Sequence, residues 1–163
     1  DPGMAFGTGT HETTKMCAVL GEKYLKENDR VLDLGCGTAV LGLLAAKLGA
    51  SSVLAVDIDD AAVKTARQNV EKNGETNKVK VMRGTLNDVP EEAFDLIFIN
   101  IIADVILEIS RDIKKYVKNG TYIILSGIIK DRKAEVKNKY TDLGFILIDE
   151  LNMGEWEAMA FRA

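Results

Sequence analysis

The chain is predicted to fold as an α/β protein, a doubly wound, mostly parallel seven-stranded sheet ending in an antiparallel C-terminal pair. Three observations predict it. Short apolar runs alternate with stretches of helical spacing along most of the 163 residues, the order that builds a parallel sheet through crossover helices. The run Phe94 to Ile99 is almost continuously apolar, as strands covered on both faces are. The last two apolar runs, Phe145–Ile148 and Glu157–Phe161, have no helix between them, so they pair antiparallel.

A helix carrying Met16, Leu20 and Tyr24 on one face comes first, capped by Thr10 or Thr13. Val31–Leu34 is a short strand ended by Gly35, and Ala39 to Leu48 an Ala/Leu-rich helix closed by Gly49. Val53–Val56 is the second strand. Asp60 then caps a helix through Asn73, with Gly74 at its C-terminal end. Val79–Met82 and Phe94–Ile99 are the third and fourth strands. The helical spacing from Ile102 to Val117 stops before Asn119-Gly120, Thr121–Leu125 is the fifth strand, and Lys130 to Tyr140 a further helix. Only a connection through Asn152-Met153-Gly154 separates the final two strands.

Composition bounds what the fold can do. With 47% hydrophobic and 28% charged residues, residues 1–163 read as one globular domain that needs no disulfide or metal to fold. Cys17 and Cys36 form no CxxC pair, which fits a reduced, cytoplasmic protein. The most apolar stretch, Leu96 to Ile109, is broken by Asn100, Asp104 and Glu108 and cannot span a bilayer. A net charge of −4, from 21 basic and 25 acidic residues, argues against direct binding to nucleic acid or an anionic membrane. The basic cluster around Lys130, Arg132, Lys133, Lys137 and Lys139 is diluted by Asp131 and Glu135 and reads as a solvated helix face.

Chemistry concentrates in three stretches. In Asp33-Leu-Gly-Cys-Gly-Thr-Ala39 the glycines let a strand turn sharply into a helix and let a ligand approach the backbone. Asp57 ends the next strand at the spacing of about 20 residues at which a carboxylate accepts both hydroxyls of a ribose. Its plainer reading is a cap on the following helix. Val40 stands where a dinucleotide fingerprint wants Gly or Ala, and no Gly-Lys-Ser/Thr phosphate loop is present. This disfavours a nicotinamide dehydrogenase and a nucleoside triphosphate. Third, Asn100-Ile-Ile-Ala103 follows the fourth strand. The opening DPGMAFGTGTHETT is a Gly/Thr-rich loop, of the kind two ordered pieces hold in place. His11-Glu12 is not half of a zinc motif, because Lys15 stands where HExxH needs its second His. No metal is expected, and His11 is assigned a structural role in the first helical turn.

The DxGxGx[G/A] pattern of residues 33–39 resembles the first motif of class I methyltransferases, whose Rossmann-like fold binds S-adenosyl-L-methionine; Ala39 departs from the usual third glycine. Asn100-Ile-Ile-Ala103 lacks the two prolines common at this place in enzymes that methylate amino groups of adenine and glutamine. Together with FGTGTHxTT, DLGCGT and the closing EWEAMAFR (Glu155 to Arg162), it resembles instead the PrmA family, which methylates large-subunit ribosomal protein eleven. That resemblance covers nearly the whole chain. It implies a protein methyltransferase acting on lysine side chains and the N-terminal amine of that ribosomal protein. It also implies that residues 1–163 are the catalytic domain and that the family's small N-terminal substrate-recognition domain is absent from the chain. For the cofactor it implies contacts from Thr14, Gly35, Cys36 (through its backbone), Gly37, Asp57, Ile58 and Asn100. Asn100 is also the catalytic candidate, orienting the amine by accepting its hydrogens. Phe6 and Trp156 are candidates for an aromatic wall facing the substrate, or for core packing. Two other classes stay open: a methyltransferase for RNA or a small molecule, and a non-catalytic S-adenosylmethionine-binding module.

Overall fold

The computed structural model describes residues 10–163. Seven strands form one sheet: β1 (Arg30–Leu34), β2 (Ser52–Asp57), β3 (Val79–Arg83), β4 (Leu96–Asn100), β5 (Tyr122–Ile129), β6 (Ile146–Met153) and β7 (Trp156–Arg162). Their order is β3-β2-β1-β4-β5-β7-β6, with β7 antiparallel to both neighbours and the first five strands parallel. The predicted sheet is therefore present. The order reverses between β1 and β4, and open α/β sheets bind ligands outside the strand ends at that reversal.

Helices α1 (Thr10–Tyr24), α2 (Val40–Lys47) and α3 (Asp60–Lys72) cover one face, and α4 (Ala103–Ile109) and α5 (Lys133–Asp142) the other. Strand alternation feeds both cores. On β4, Leu96 and Phe98 enter the core under α1 to α3, while Ile97 and Ile99 enter the core under α4 and α5. Each such side chain contributes about 1.5–3 kcal/mol by leaving water. No helix among the described residues is long and apolar enough to cross a membrane.

Several elements differ from expectation for local reasons. The helical stretch from Ile102 breaks after Ile109 and resumes as a 3-10 turn over Ile113–Tyr116. At the break the Ser110 hydroxyl donates to the Leu107 carbonyl at 2.5 Å, in competition with the helical ladder. Asp59, not Asp60, caps α3: its backbone is extended, and its side chain accepts from the Ala61 N–H at 3.2 Å. The stretch from Lys130 opens as a 3-10 turn and becomes α-helical only at Lys133. Both β5 and β6 run past their expected ends, because a bulge absorbs Ser126-Gly127 and because β6–β7 pairing continues to Met153–Trp156. Gly154-Glu155 alone turns that hairpin. The basic face of α5 is only partly solvated, since the Lys133 ammonium lies 3.2 Å from the buried Glu157 carboxylate.

Candidate functional site

A cavity of about 730 Å³ opens where β1, β2, β4 and β5 end. One end of it lies over β1 and β2. Gly35 has φ +76°, and a Cβ there would come within 2.3 Å of the Ile101 side chain, so only glycine lets the chain turn against β4. The N–H groups of Gly35 and Cys36 both donate to the Val56 carbonyl, at 2.8 and 2.9 Å. Asp57 is pinned from two sides: one carboxylate oxygen accepts from the Gly37 N–H and the other from the Asp59 N–H, each at 2.9 Å. Each oxygen retains a second acceptor direction, and Asp57 lines the cavity. It braces the glycine loop rather than capping α3.

A second carboxylate stands behind that loop. Asp33, fully buried, accepts the Gly42 N–H in the first turn of α2 at 3.1 Å. There Ala39, the N-cap residue, offers no side-chain oxygen. The other Asp33 oxygen has no hydrogen-bond partner among the described residues. Burial pushes its pKa up to about 7, the Asp57 charge adds to the rise, and the Gly42 bond opposes it. Ala39 itself sits in the left-handed region at φ +70°, so alanine here carries a backbone strain that glycine would not.

The wall beyond β3, Gly84-Thr85-Leu86-Asn87, also lines the cavity and was missed in the sequence. Its legible signal was the Thr85-x-x-Asp88 spacing after a strand, which forms a capping box. Gly84 donates to the Asp57 carbonyl at 2.9 Å. From the 3-10 turn after α4 the buried Tyr116 hydroxyl donates to the carbonyls of Leu86 and Val89, at 2.8 and 3.0 Å.

The other end of the cavity is formed by Thr13, Asn100, Gly127 and Trp156. The Asn100 side-chain amide donates to the Thr14 hydroxyl over a long 3.4 Å, and the buried Ser126 hydroxyl donates to the Thr13 carbonyl at 3.0 Å. Ser126 and Gly127 carried no sequence signal, because a Ser-Gly pair inside an apolar run reads as the end of a strand.

Of the predicted residues, Gly35, Asp57, Ile58, Asn100 and Trp156 share this one cavity, Ile58 as a 66% exposed rim. Thr14 stands behind Asn100. Cys36 and Gly37 lie beneath the wall: the Cys36 thiol is buried and its pKa driven up, and the Gly37 N–H is held by Asp57. Cys17 is buried in the core, its thiol likewise pushed up by burial. His11 is exposed in the first turn of α1. Phe6, with the rest of the opening loop through Gly9, lies outside the described residues. Among the described residues no group of three His, Cys, Asp or Glu side chains is placed to hold a metal ion.

Comparison with known proteins shows a family. The family described as Ribosomal protein L11 methyltransferase (PrmA) matches residues 1–163. Two relatives named ribosomal protein L11 methyltransferase, from Ruminiclostridium cellulolyticum and Acetivibrio thermocellus, are 52% and 51% identical over 99% of the chain. They are matched over 52% and 51% of their own lengths, so the chain spans about half the length of these relatives. A crystal structure of ribosomal protein L11 methylase from Lactobacillus delbrueckii subsp. bulgaricus superposes with a TM-score of 0.84 at 31% identity, covering 99% of this chain and 82% of that one.

Proposed function

The chain belongs to the ribosomal protein L11 methyltransferase (PrmA) family, and on that premise we propose that it is the methyl-transferring half of such an enzyme. Its substrate would be amino groups of a large-subunit ribosomal protein, lysine side chains and the N-terminal amine, in the cytoplasm. A separate recognition domain, for which the half-length match leaves room, would deliver that protein.

The observation that carries this reading is one cavity with Asp57 at one end and Asn100 at the other. The described residues fit S-adenosyl-L-methionine. Asp57 has acceptor directions left for two ribose hydroxyls. Leu34, Val56, Leu86 and Ile101 are apolar lining suited to a purine ring, and Gly35 admits the methionine portion close to the backbone. When bound, the cofactor supplies a methyl group already activated on a sulfonium. The amine held by this chain's residues would form its new N–C bond as the methyl's bond to sulfur broke, the electron pair staying on sulfur, and the methylated ammonium would lose its proton to water.

The chain's own residues have two tasks, alignment and presenting an uncharged amine. Alignment is worth up to about 7–11 kcal/mol in favourable systems. A lysine with the ordinary pKa of about 10.4 costs near 5 kcal/mol to deprotonate at pH 7, and desolvation beside a positive charge reduces that cost. No dedicated base is therefore required. The Asn100 side-chain oxygen and the Ile101 carbonyl, which accepts no hydrogen bond among the described residues, would receive the amine hydrogens and direct the nitrogen lone pair.

The test is to incubate ribosomal protein L11 with S-adenosylmethionine and this chain, alone and as part of a full-length relative's architecture, and to read intact mass. Methyl-mass steps on the ribosomal protein are expected with the full architecture. Their absence there, or their appearance on RNA or metabolites instead, overturns the assignment.

A further inference from the structure

We infer that Gly127 is a positioning residue: the bulge it makes in β5 brings the Asn100 side-chain oxygen and the Ile101 main-chain oxygen together as a paired seat for the N–H bonds of the incoming amine. The inference rests on the reading above.

The register between β5 and β7 shifts between Leu125 and Ile128, and within that shift Gly127 has φ +85°. Bulges beside functional sites re-aim the groups around them. A Cβ on Gly127 would come 2.6 Å from the Ile101 oxygen and 3.2 Å from the Asn100 side-chain oxygen. Both oxygens thus border the same Gly127 position and lie no more than about 6 Å apart, a span that one nitrogen donating to both can bridge at ordinary hydrogen-bond lengths. On the opposite side, a Cβ on Gly35 would come 2.3 Å from the Ile101 side chain and 3.2 Å from the Asn100 carbonyl. The Asn100–Ile101 segment is therefore gripped between two Cβ-less positions, one just after β1 and one on β5. Main-chain atoms of Ile101 cannot swing aside as a flexible side chain would. Any side chain at position 127 must push β5 away from the β4–α4 turn and part or cover the two oxygens. A neutral primary amine has two N–H bonds and one lone pair. Fixing both hydrogens fixes the lone pair.

The experiment needs only binding. Calorimetry on this chain compares S-adenosylhomocysteine with an S-adenosylmethionine analogue in which a carbon bearing an ammonium replaces the sulfonium and its methyl. Charge-assisted bonds to both oxygens should make the analogue bind about tenfold or more tightly than the homocysteine form in the unsubstituted chain. Gly127→Ala should abolish that preference while changing the affinity for S-adenosylhomocysteine by less than about threefold, a split that general loosening of the fold would not produce. A preference kept in the variant, or one lost together with affinity for the homocysteine form, overturns the inference. If neither compound binds the unsubstituted chain, the cofactor reading has failed instead. Should Gly127→Ala not fold, a crystal structure of the unsubstituted chain with the analogue decides. Its ammonium nitrogen within about 3.2 Å of both oxygens supports the seat, and a nitrogen touching neither overturns it.

Discussion

At the end of the cavity where we propose that the nucleoside binds, the polar side chain that faces inward is fixed by backbone donors close to it in the chain or on the adjoining loop. At the acceptor end, the inward-facing groups are fixed by shape, between strands far apart in sequence. Asp57 accepts N–H groups from Gly37 and Asp59 at 2.9 Å, whereas Asn100 has one long contact to Thr14 and is wedged between Gly35 and Gly127. The difference fits the tasks proposed for the two ends. A binding surface gains from having its polar groups oriented in advance by the protein's own donors. A reacting surface must keep acceptors unspent for the reactant, so packing has to hold them instead. Changes at the two ends should therefore separate into effects on turnover and effects on affinity.

The largest effect is expected at the acceptor end. Asn100→Ala should lower kcat about 100-fold or more, the scale on which positioned catalytic groups act, while cofactor affinity changes less than about threefold. Single-turnover methylation of the ribosomal protein, set beside calorimetric cofactor binding, measures both. Equal losses would make Asn100 a cofactor ligand and erase the contrast between the ends.

The counterpart is Asp57→Ala, with S-adenosylmethionine affinity falling at least about tenfold, in line with a lost charged acceptor. The far-ultraviolet dichroism of the fold should survive, and turnover at saturating cofactor should stay within severalfold. Unchanged affinity would remove Asp57 from the site and leave it as a brace for Gly37 alone.

How far each end was legible in the sequence follows from the same contrast. Gly35 and Asp57 belong to a strand–turn–helix pattern contained in a short run, so spacing alone placed them together. Asn100 ends an apolar strand, and it was resemblance that gave it a role in the site. Trp156 was nominated as an aromatic for the substrate side or the core, since nothing local shows that a residue on β7 shares a cavity with the end of β1. Gly127 gave no signal, because a bulge is a property of the β5–β7 register and not of its own neighbours. The sheet was legible for the opposite reason: buried parallel strands and their helices each write a local period. Where expectation and structure diverged, at Asp59, Ser110 and the β6–β7 turn, one hydrogen bond or one step of pairing decided the boundary.

Asp33 extends the contrast to pH. Its carboxyl, raised to about 7 mainly by burial, binds a proton in the folded chain that the unfolded chain, with an ordinary pKa near 3.9, releases much earlier. Between those two values the native state holds more protons, so this group's contribution to stability falls as pH rises, and it levels off above about 7. Asp33→Asn should remove that slope. Compared with the unsubstituted chain, the variant should gain about 2–3 kcal/mol at pH 8 relative to pH 5, or roughly 5–10 °C in the difference between melting temperatures. A difference that does not depend on pH would mean that Asp33 is already ionised in the fold and held by Gly42.

The smallest effect probes whether the nucleotide end needs support from outside its own loop. The Tyr116 hydroxyl is the link from the turn after α4 to the carbonyls of Leu86 and Val89. The Leu86 carbonyl also accepts the Val89 N–H at 3.0 Å, and Asp88 closes a capping box within the loop, so losing the hydroxyl leaves most of that wall in place. Tyr116→Phe keeps the ring in its core and removes only this link. Cofactor affinity should fall about threefold, the lower end of a net hydrogen bond, with kcat unchanged at saturation and the same factor seen for adenosine alone. A loss confined to turnover would place Tyr116 with the acceptor end. A loss for S-adenosylmethionine without one for adenosine would mean that the wall it braces does not face the base.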